Sequence, residues 1–233
     1  MQIASSAAGR PAGRHDRLTP PGAHVVARDG RPVTAHYGSV ATEVAVCRKA
    51  VGLAFRTELE VLDLQGREPW LERLLTRALG RDPQTGSAIA AAGVWCCRLD
   101  LHRALVVGPS GAVASWRRVA REAVIGGSPI TAADLTEGCA PMSLIGPRAA
   151  RLLDLVGLPA TLPLHAVYEG LADTAPVTLV RTGADHWLLL VDDDDVATTY
   201  GALCTHGRPL GLSLVGSEAV GRLAAATRPI AAL

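Results

Sequence analysis

The sequence predicts an α+β fold made of two copies of a strand-helix-strand-strand-helix unit, with mixed sheets carrying helices on one face. Three observations point there. Apolar residues alternate with period two in some segments and recur at helical spacing in others, so strands and helices are interleaved. The order of these segments repeats, over about residues 59–124 and again over about 141–205. Glycines open the two copies at matching places, Gly66 and Gly146, and setting Arg98 on Arg181 lays Leu105-Val106-Val107 over Leu188-Leu189-Leu190.

The elements follow in order. Residues 1–21 mix Ser, Gly, Pro and Arg without periodicity and predict a mobile arm, which leaves 22–233 as the folded domain. From His24 a short hairpin turns at Asp29-Gly30, a dipeptide that tolerates the positive φ of such turns. Ser39 caps a helix running to about Val51, with Val40, Val44, Cys47 and Val51 at helical spacing, so Cys47 reads as core. Leu59 to Leu64 alternates as a strand ending at Gly66. The segment EPWLERLLTRAL then sets Trp70, Leu71, Leu74, Leu75 and Ala78 on one helical face. Residues 80–88 are a turn-rich connection, 89–107 hold two strands joined by Asp100-Leu101-His102, and 112–124 form a helix. The second copy runs as strand MSLI, helix RAARLLDLVG, strands VTLVR and HWLLLV, and helix VATTYGAL, and a last helix covers about 216–227.

Composition excludes several classes. Twenty-three basic against 22 acidic residues give a net charge of +1, which leaves no polyanion-binding signature and argues against nucleic acid. At 48% hydrophobic, 233 residues bury a sizeable core. No apolar run reaches the roughly 18 residues of a membrane span, and the start has no secretory h-region, so a soluble cytoplasmic protein is expected. Lys49 is the one lysine and asparagine is absent, the mark of GC-rich, bacterial-type coding, so abundant arginine is not read as phosphate recognition.

Metal and nucleophile sites are not expected. Five cysteines, at 47, 96, 97, 139 and 204, form no CxxC and no metal-like pairing, which fits a reduced compartment. Cys96 and Cys97 are neighbours on a strand and point to opposite faces, one into the core and one to the surface. Asp192–Asp195 read as the cap and favourable charge at a helix N-terminus rather than a cation site. Cys204 and His206 stand near each other without a third, orienting residue.

Four stretches carry a family resemblance. HYGSVATEVAVCRKAVGL (36–53) resembles the opening of the folate-binding region of the glycine cleavage T-protein (aminomethyltransferase) family, where an HYG-type turn precedes a helix ending in VGL and then a strand. SLIGPRAARLL (143–153) is similar to that family's second-half strand-GP-helix motif, and VRTGADHWLLLV (180–191) to its RTGYTGEDGYELLV strand pair. The closing VGSEAVGRLAAATRP resembles the helix bearing LRLEAG. The resemblance covers about residues 29–229 and implies a short member without the C-terminal barrel.

It also implies tetrahydrofolate as cofactor and a protein of one-carbon or N-methyl-amine metabolism. In that family an aspartate positions the amine that accepts the one-carbon unit, and a second carboxylate pairs with the donor edge of the pterin. Here the aspartate pair falls on Ala92-Gly93 and the glutamate on Leu188, so the implied chemistry is altered or lost and no catalytic residue is assigned. Arg222 keeps a polar position of the folate site. Trp187 stands at an aromatic position and either stacks on a flat heterocycle or fills core volume. His36, in the HYG turn, lies either at the pocket entrance or in a turn-stabilising hydrogen bond. The alternative partner is a larger oxidoreductase. LPLHAVYEGLADTAPVTLVRTGADHWLLLV (162–191) and AIAAAGVWCCRLDLHRALVVGP are similar to the gamma subunit of heterotetrameric sarcosine oxidase, which carries no active-site chemistry of its own.

Overall fold

The computed structural model describes residues 22–227, so the arm expected over 1–21 lies outside the described residues. The chain opens with β1 (His24–Arg28) and β2 (Arg31–His36), whose two-residue turn puts Asp29 at φ 50° and Gly30 at φ 76°. Both central residues are left-handed, as the twist of a tight hairpin demands. Ser39 caps α1 (Val40–Lys49), its hydroxyl accepting from the Thr42 amide at 3.4 Å. The helix stops short of Val51 because Val51–Phe55 forms β3, buried along its whole length.

The first unit comprises β4 (Leu59–Gly66), α2 (Trp70–Leu79), β5 (Ser87–Ala91), β6 (Val94–Arg98), β7 (Arg103–Pro109) and α3 (Ser110–Ile125), followed by β8 (Ile130–Asp134). Leu71, Leu74 and Leu75 of α2 are buried as expected, but two residues assigned to that face are not. Trp70, at the first position of the helix, is 37% exposed with the Arg73 guanidinium 5.4 Å from its ring centre. Ala78 is exposed and Leu79 packs against the core in its stead. The expected long strand over 89–99 is a hairpin. Ala92 and Gly93 take φ 49° and 83° and reverse the chain, pairing Ala91 with Val94. An alanine at positive φ gives no turn signal of its own.

The second unit repeats the first with β9 (Cys139–Ile145), α4 (Ala149–Leu155), β10 (Val167–Ala172), β11 (Ala175–Gly183), β12 (His186–Asp192) and α5 (Val196–Gly207), then β13 (Leu212–Leu214) and α6 (Ser217–Thr227). Each unit therefore holds one strand more than the sequence pattern showed. The five-stranded sheet has the order β5-β6-β7-β4-β8 and the six-stranded one β10-β11-β12-β9-β3-β13. Their first four strands match in pairing register, with the β10–β11 hairpin two residues longer on each side than the β5–β6 hairpin. Arg98 pairs with Ala104 as Arg181 pairs with Trp187, and Leu64 pairs with Ala104 as Leu144 pairs with Trp187. Gly66 and Gly146 follow in the same register, their amides donating to His102 at 2.9 Å and Asp185 at 2.8 Å.

Alternation along these strands sorts the side chains into layers. Leu62, Leu64 and Val106 face α2 and α3 in one core, while Leu53, Leu144, Leu179 and Trp187 face α4 and α5 in another. The opposite faces of both sheets share a third core containing Val61, Cys97, Leu105, Val180, Leu188 and Leu190. At the β3 end of this inner face, α1 and α6 pack on Ala54 and Ile145 through Cys47, Ala219 and Val220. The fold is thus α+β with helices on one face of each main strand set and the sheets back to back.

Candidate functional site

Of the three residues singled out from the sequence, Trp187 stands apart, while His36 and Arg222 lie on β2 and α6, which pack against each other. His36 ends β2; its ring stacks on His24 with centroids 4.7 Å apart, and its Nδ1 accepts from the Gly38 amide at 3.2 Å. Trp187 is 1% exposed and lies in the helix-side core, with the Arg181 guanidinium 5.6 Å from its ring centre and no hydrogen-bond partner on its buried Nε1. Arg222 is exposed on α6.

Leu188 occupies the inner face of β12, one residue along from Trp187 and so on the opposite side of the sheet. It is 3% exposed, surrounded by the apolar intersheet core, and its cross-strand partners are Ser143 and Val180. Ala92-Gly93 is the exposed tip of the β5–β6 hairpin rather than part of a continuous strand. The β6 residues that turn toward the intersheet core are Trp95 and Cys97. Neither position that the family resemblance fills with a carboxylate carries one.

A polar group missed by sequence reasoning flanks Leu188. Arg56, just after β3, donates from Nη1 to the Ser143 hydroxyl at 3.0 Å and from Nε to Glu58 Oε1 at 2.6 Å. The second oxygen of Glu58, Oε2, is buried and accepts no hydrogen bond. His186, on the same face of β12 as Leu188, has its pKa lowered from 6.5 to about 4, first by burial and then by the charge of Arg56. A neutral imidazole, a hydroxyl and a spare carboxylate oxygen around one guanidinium can recognise a polar group, but none of them is an activated nucleophile. These residues come from three separate segments, so no local motif announces them.

The remaining candidates resolve as structure. Cys96 and Cys97 are both fully buried, since β6 is covered on each face, and neither is the expected surface thiol. Burial pushes the Cys96 thiol up to about 12, raises Cys97 further, and lifts Cys47 to about 11, so all three stay protonated at neutral pH. Asp193–Asp195 form a 3-10 turn leading into α5, and neither Asp192 nor Asp195 makes a side-chain cap bond; their charge at the helix start is what remains of the expected role. Cys204 interacts with Tyr200, one turn earlier on α5. Among the described residues no three His, Cys, Asp or Glu side chains cluster to hold a metal, and no helix is long and apolar enough to cross a membrane.

Comparison with known proteins agrees with this architecture. The model of the GCVT N-terminal domain matches residues 14–227. The structure superimposes on the glycine cleavage system aminomethyltransferase T from Bartonella henselae with a TM-score of 0.73 at 22% identity, covering 88% of this chain and 58% of that one. This chain therefore spans a little over half the length of that protein. It also superimposes on a chain of the heterotetrameric sarcosine oxidase from Corynebacterium sp. U-96, with a TM-score of 0.60 at 20% identity, covering 75% of this chain and 93% of that one. A search of curated proteins by sequence finds no match. With nearly the whole chain inside the family model and the duplicated units in the same fold, the protein belongs to the GCVT N-terminal domain family.

Proposed function

We propose that this aminomethyltransferase-like protein serves one-carbon or N-methyl-amine metabolism, binding a folate or related ligand while its transfer chemistry is altered or lost. Membership of the family supports ligand binding, and one observation carries the loss of transfer chemistry: Leu188, at the position where the family resemblance implies a pterin-binding carboxylate, is buried among apolar side chains. A catalytic tetrahydrofolate does not fit residues that offer no acceptor there and no positioned acid at Ala92-Gly93, so no reaction step is derived through it.

Titrating the full chain with tetrahydrofolate tests the reading. Aminomethyl transfer is expected to be absent or slowed by about 10²–10⁴, the usual cost of a missing general acid-base group. Leu188→Glu places a carboxylate opposite Ser143, to which Arg56 is bonded, and should tighten folate binding by about tenfold to a hundredfold. Transfer at a rate typical of the family, or unchanged binding in a folded Leu188→Glu protein, overturns it.

A second reading is a non-catalytic, gamma-type subunit of a heterotetrameric sarcosine oxidase-like oxidoreductase. The likeness to a chain of that enzyme supports it, with a TM-score of 0.60 over 75% of this chain. Co-purification with a flavoprotein oxidoreductase and no folate binding would establish this reading over the first. Both place the protein in the cytoplasm, in keeping with five cysteines that are all free thiols.

A further inference from the structure

A groove of about 500 Å³ opens in the first unit where β4, the β6–β7 loop and the start of β8 meet. Its volume is in the range that holds a small molecule. Gln65, Arg67, Asp100, His102, Arg103 and Thr131 line it. Several of these groups are already engaged. Arg103 Nε lies 3.2 Å from both oxygens of Asp63, with Glu169 at 3.8 Å from Nη1, and Gln65 donates to Asp63 at 2.8 Å. Asp100 accepts from the His102 amide at 2.6 Å within its own loop.

Three donors are left over. The guanidinium of Arg67, the imidazole of His102 and the hydroxyl of Thr131 make no hydrogen bond or ion pair with another described residue. The matching place in the second unit shows why the groove exists. A side chain at Gly146, the counterpart of Gly66, would strike the carbonyls of Cys47 and Ala50, because the last turn of α1 is seated there. At Gly66 the nearest neighbours are the side chain of Ile130 and the Pro129 carbonyl, at the start of β8, and they lie farther off, at 3.0 and 3.3 Å. Gly66 is therefore only half-buried where Gly146 is buried, and the exposed side chains of Arg67, His102 and Thr131 stand around it.

We infer that this groove binds a small molecule through a carboxylate or phosphate group, with Arg67 supplying the paired, charge-assisted contact and His102 and Thr131 completing it. The inference does not depend on the reading at Leu188, since none of these residues is shared with it.

The test is a titration of the full-length, ¹⁵N-labelled chain with inorganic phosphate and, separately, with succinate, which distinguishes the two anion classes. Saturable shifts confined to the amides around Gly66, His102 and Thr131 are expected for at least one probe, with millimolar or tighter affinity. Arg67→Gln should weaken that binding by at least about tenfold with the melting temperature unchanged. His102→Ala should weaken it by a smaller factor, and Arg118→Gln, an exposed arginine on α3, should leave it as it was. Absence of saturable shifts with both probes, shifts scattered over the surface arginines, or equal affinity in the parent, Arg67→Gln and His102→Ala proteins overturns the inference.

Discussion

Ser87 and Ala166 occupy the same place in the two units and are paired with each other across the join between the sheets. Each is tied to its unit's buried-strand arginine, Ser87 through its pairing with Arg98 and Ala166 through its carbonyl, which accepts from the Arg181 amide at 3.1 Å. On either side of the pair the Ala88 amide donates to His165 and the Val167 amide to Gly86, both at 2.7 Å. Exchanging the units exchanges these two bonds, so a local two-fold axis passes between the residues. The join also closes part of two sheet edges that would otherwise offer free backbone groups.

Proline at either amide tests the symmetry. Ala88→Pro and Val167→Pro each delete one of the two bonds, and each should cost about 1–3 kcal/mol in urea unfolding. Nearly equal losses are expected. A loss at one position alone would show that the join is carried by one unit.

The arginines beyond the join hold the hairpin turns. Arg98 is 1% exposed and donates to the Leu101 carbonyl at 2.8 Å, while Arg181 donates to the carbonyls of Leu162 and Ala184 at 2.7 and 2.9 Å. Leu101 and Ala184 each stand three residues after their arginine. Arg98→Ala leaves the Leu101 carbonyl without its donor and removes the buried cation beside Asp82 and Glu68, and should destabilise by about 3 kcal/mol. Arg118→Ala, which breaks only an exposed helix pair, should change stability by less than about 0.5 kcal/mol. Chemical denaturation of the two variants side by side checks the contrast.

That Arg98 and Arg181 are equivalent was legible from the sequence, because an arginine before a turn and an apolar strand after it survive in both copies. The start of α1 at Ser39 and the hairpin at Asp29-Gly30 were legible for the same reason: a cap and a turn are local chemistry. The β5–β6 reversal was not, since Ala92 adopts a backbone that alanine rarely takes, and the short partners β8, β10 and β13 carry too little periodicity to stand out from loops. The cluster at Arg56 was hidden for a different reason. Its members meet only when β3, β9 and β12 lie side by side, and Arg56 and Ser143 are 87 positions apart.

Glu43 is a second such long-range tie. Its buried carboxylate accepts from the Tyr37 amide at 2.5 Å and from the Gly216 amide at 2.8 Å, fastening the start of α6 to the turn before α1. Glu43→Ala strands both amides and should cost about 2–4 kcal/mol. Glu43→Gln keeps one acceptor oxygen and should recover part of the loss. Thermal unfolding of both variants measures the difference; equal losses would mean that the helix is held by packing alone.

His186 gives the protein an acid-sensitive element. Its folded pKa, about 4, lies below the ordinary 6.5, so the unfolded chain takes up the proton first. Stability is therefore full above about pH 6.5 and falls as the pH drops toward 4, by up to about 3 kcal/mol over that window. His186→Gln should flatten the profile between these limits. If the parent and variant lose stability in parallel, other groups govern the acid transition.

Arg222 separates the two functional readings. On α6 its neighbours Ala219 and Val220 turn inward against Cys47 and Ile145, and Arg222 itself points away from that core. Its removal should leave the melting temperature nearly unchanged, because a solvated arginine contributes little to stability. If a folate or other carboxylate ligand reaches this face, the guanidinium can hold it through paired hydrogen bonds, and Arg222→Ala should weaken ligand binding by at least about tenfold. If the chain docks on a larger oxidoreductase, folate binding should be undetectable with and without the substitution, and the effect should appear as a weaker co-purified complex. Because an exposed arginine is a common anchor at interfaces and also a common carboxylate ligand, its chemistry alone does not choose between them. The choice falls to which of the two assays responds, and a drop in melting temperature with neither response would make Arg222 a structural residue and remove it from both readings.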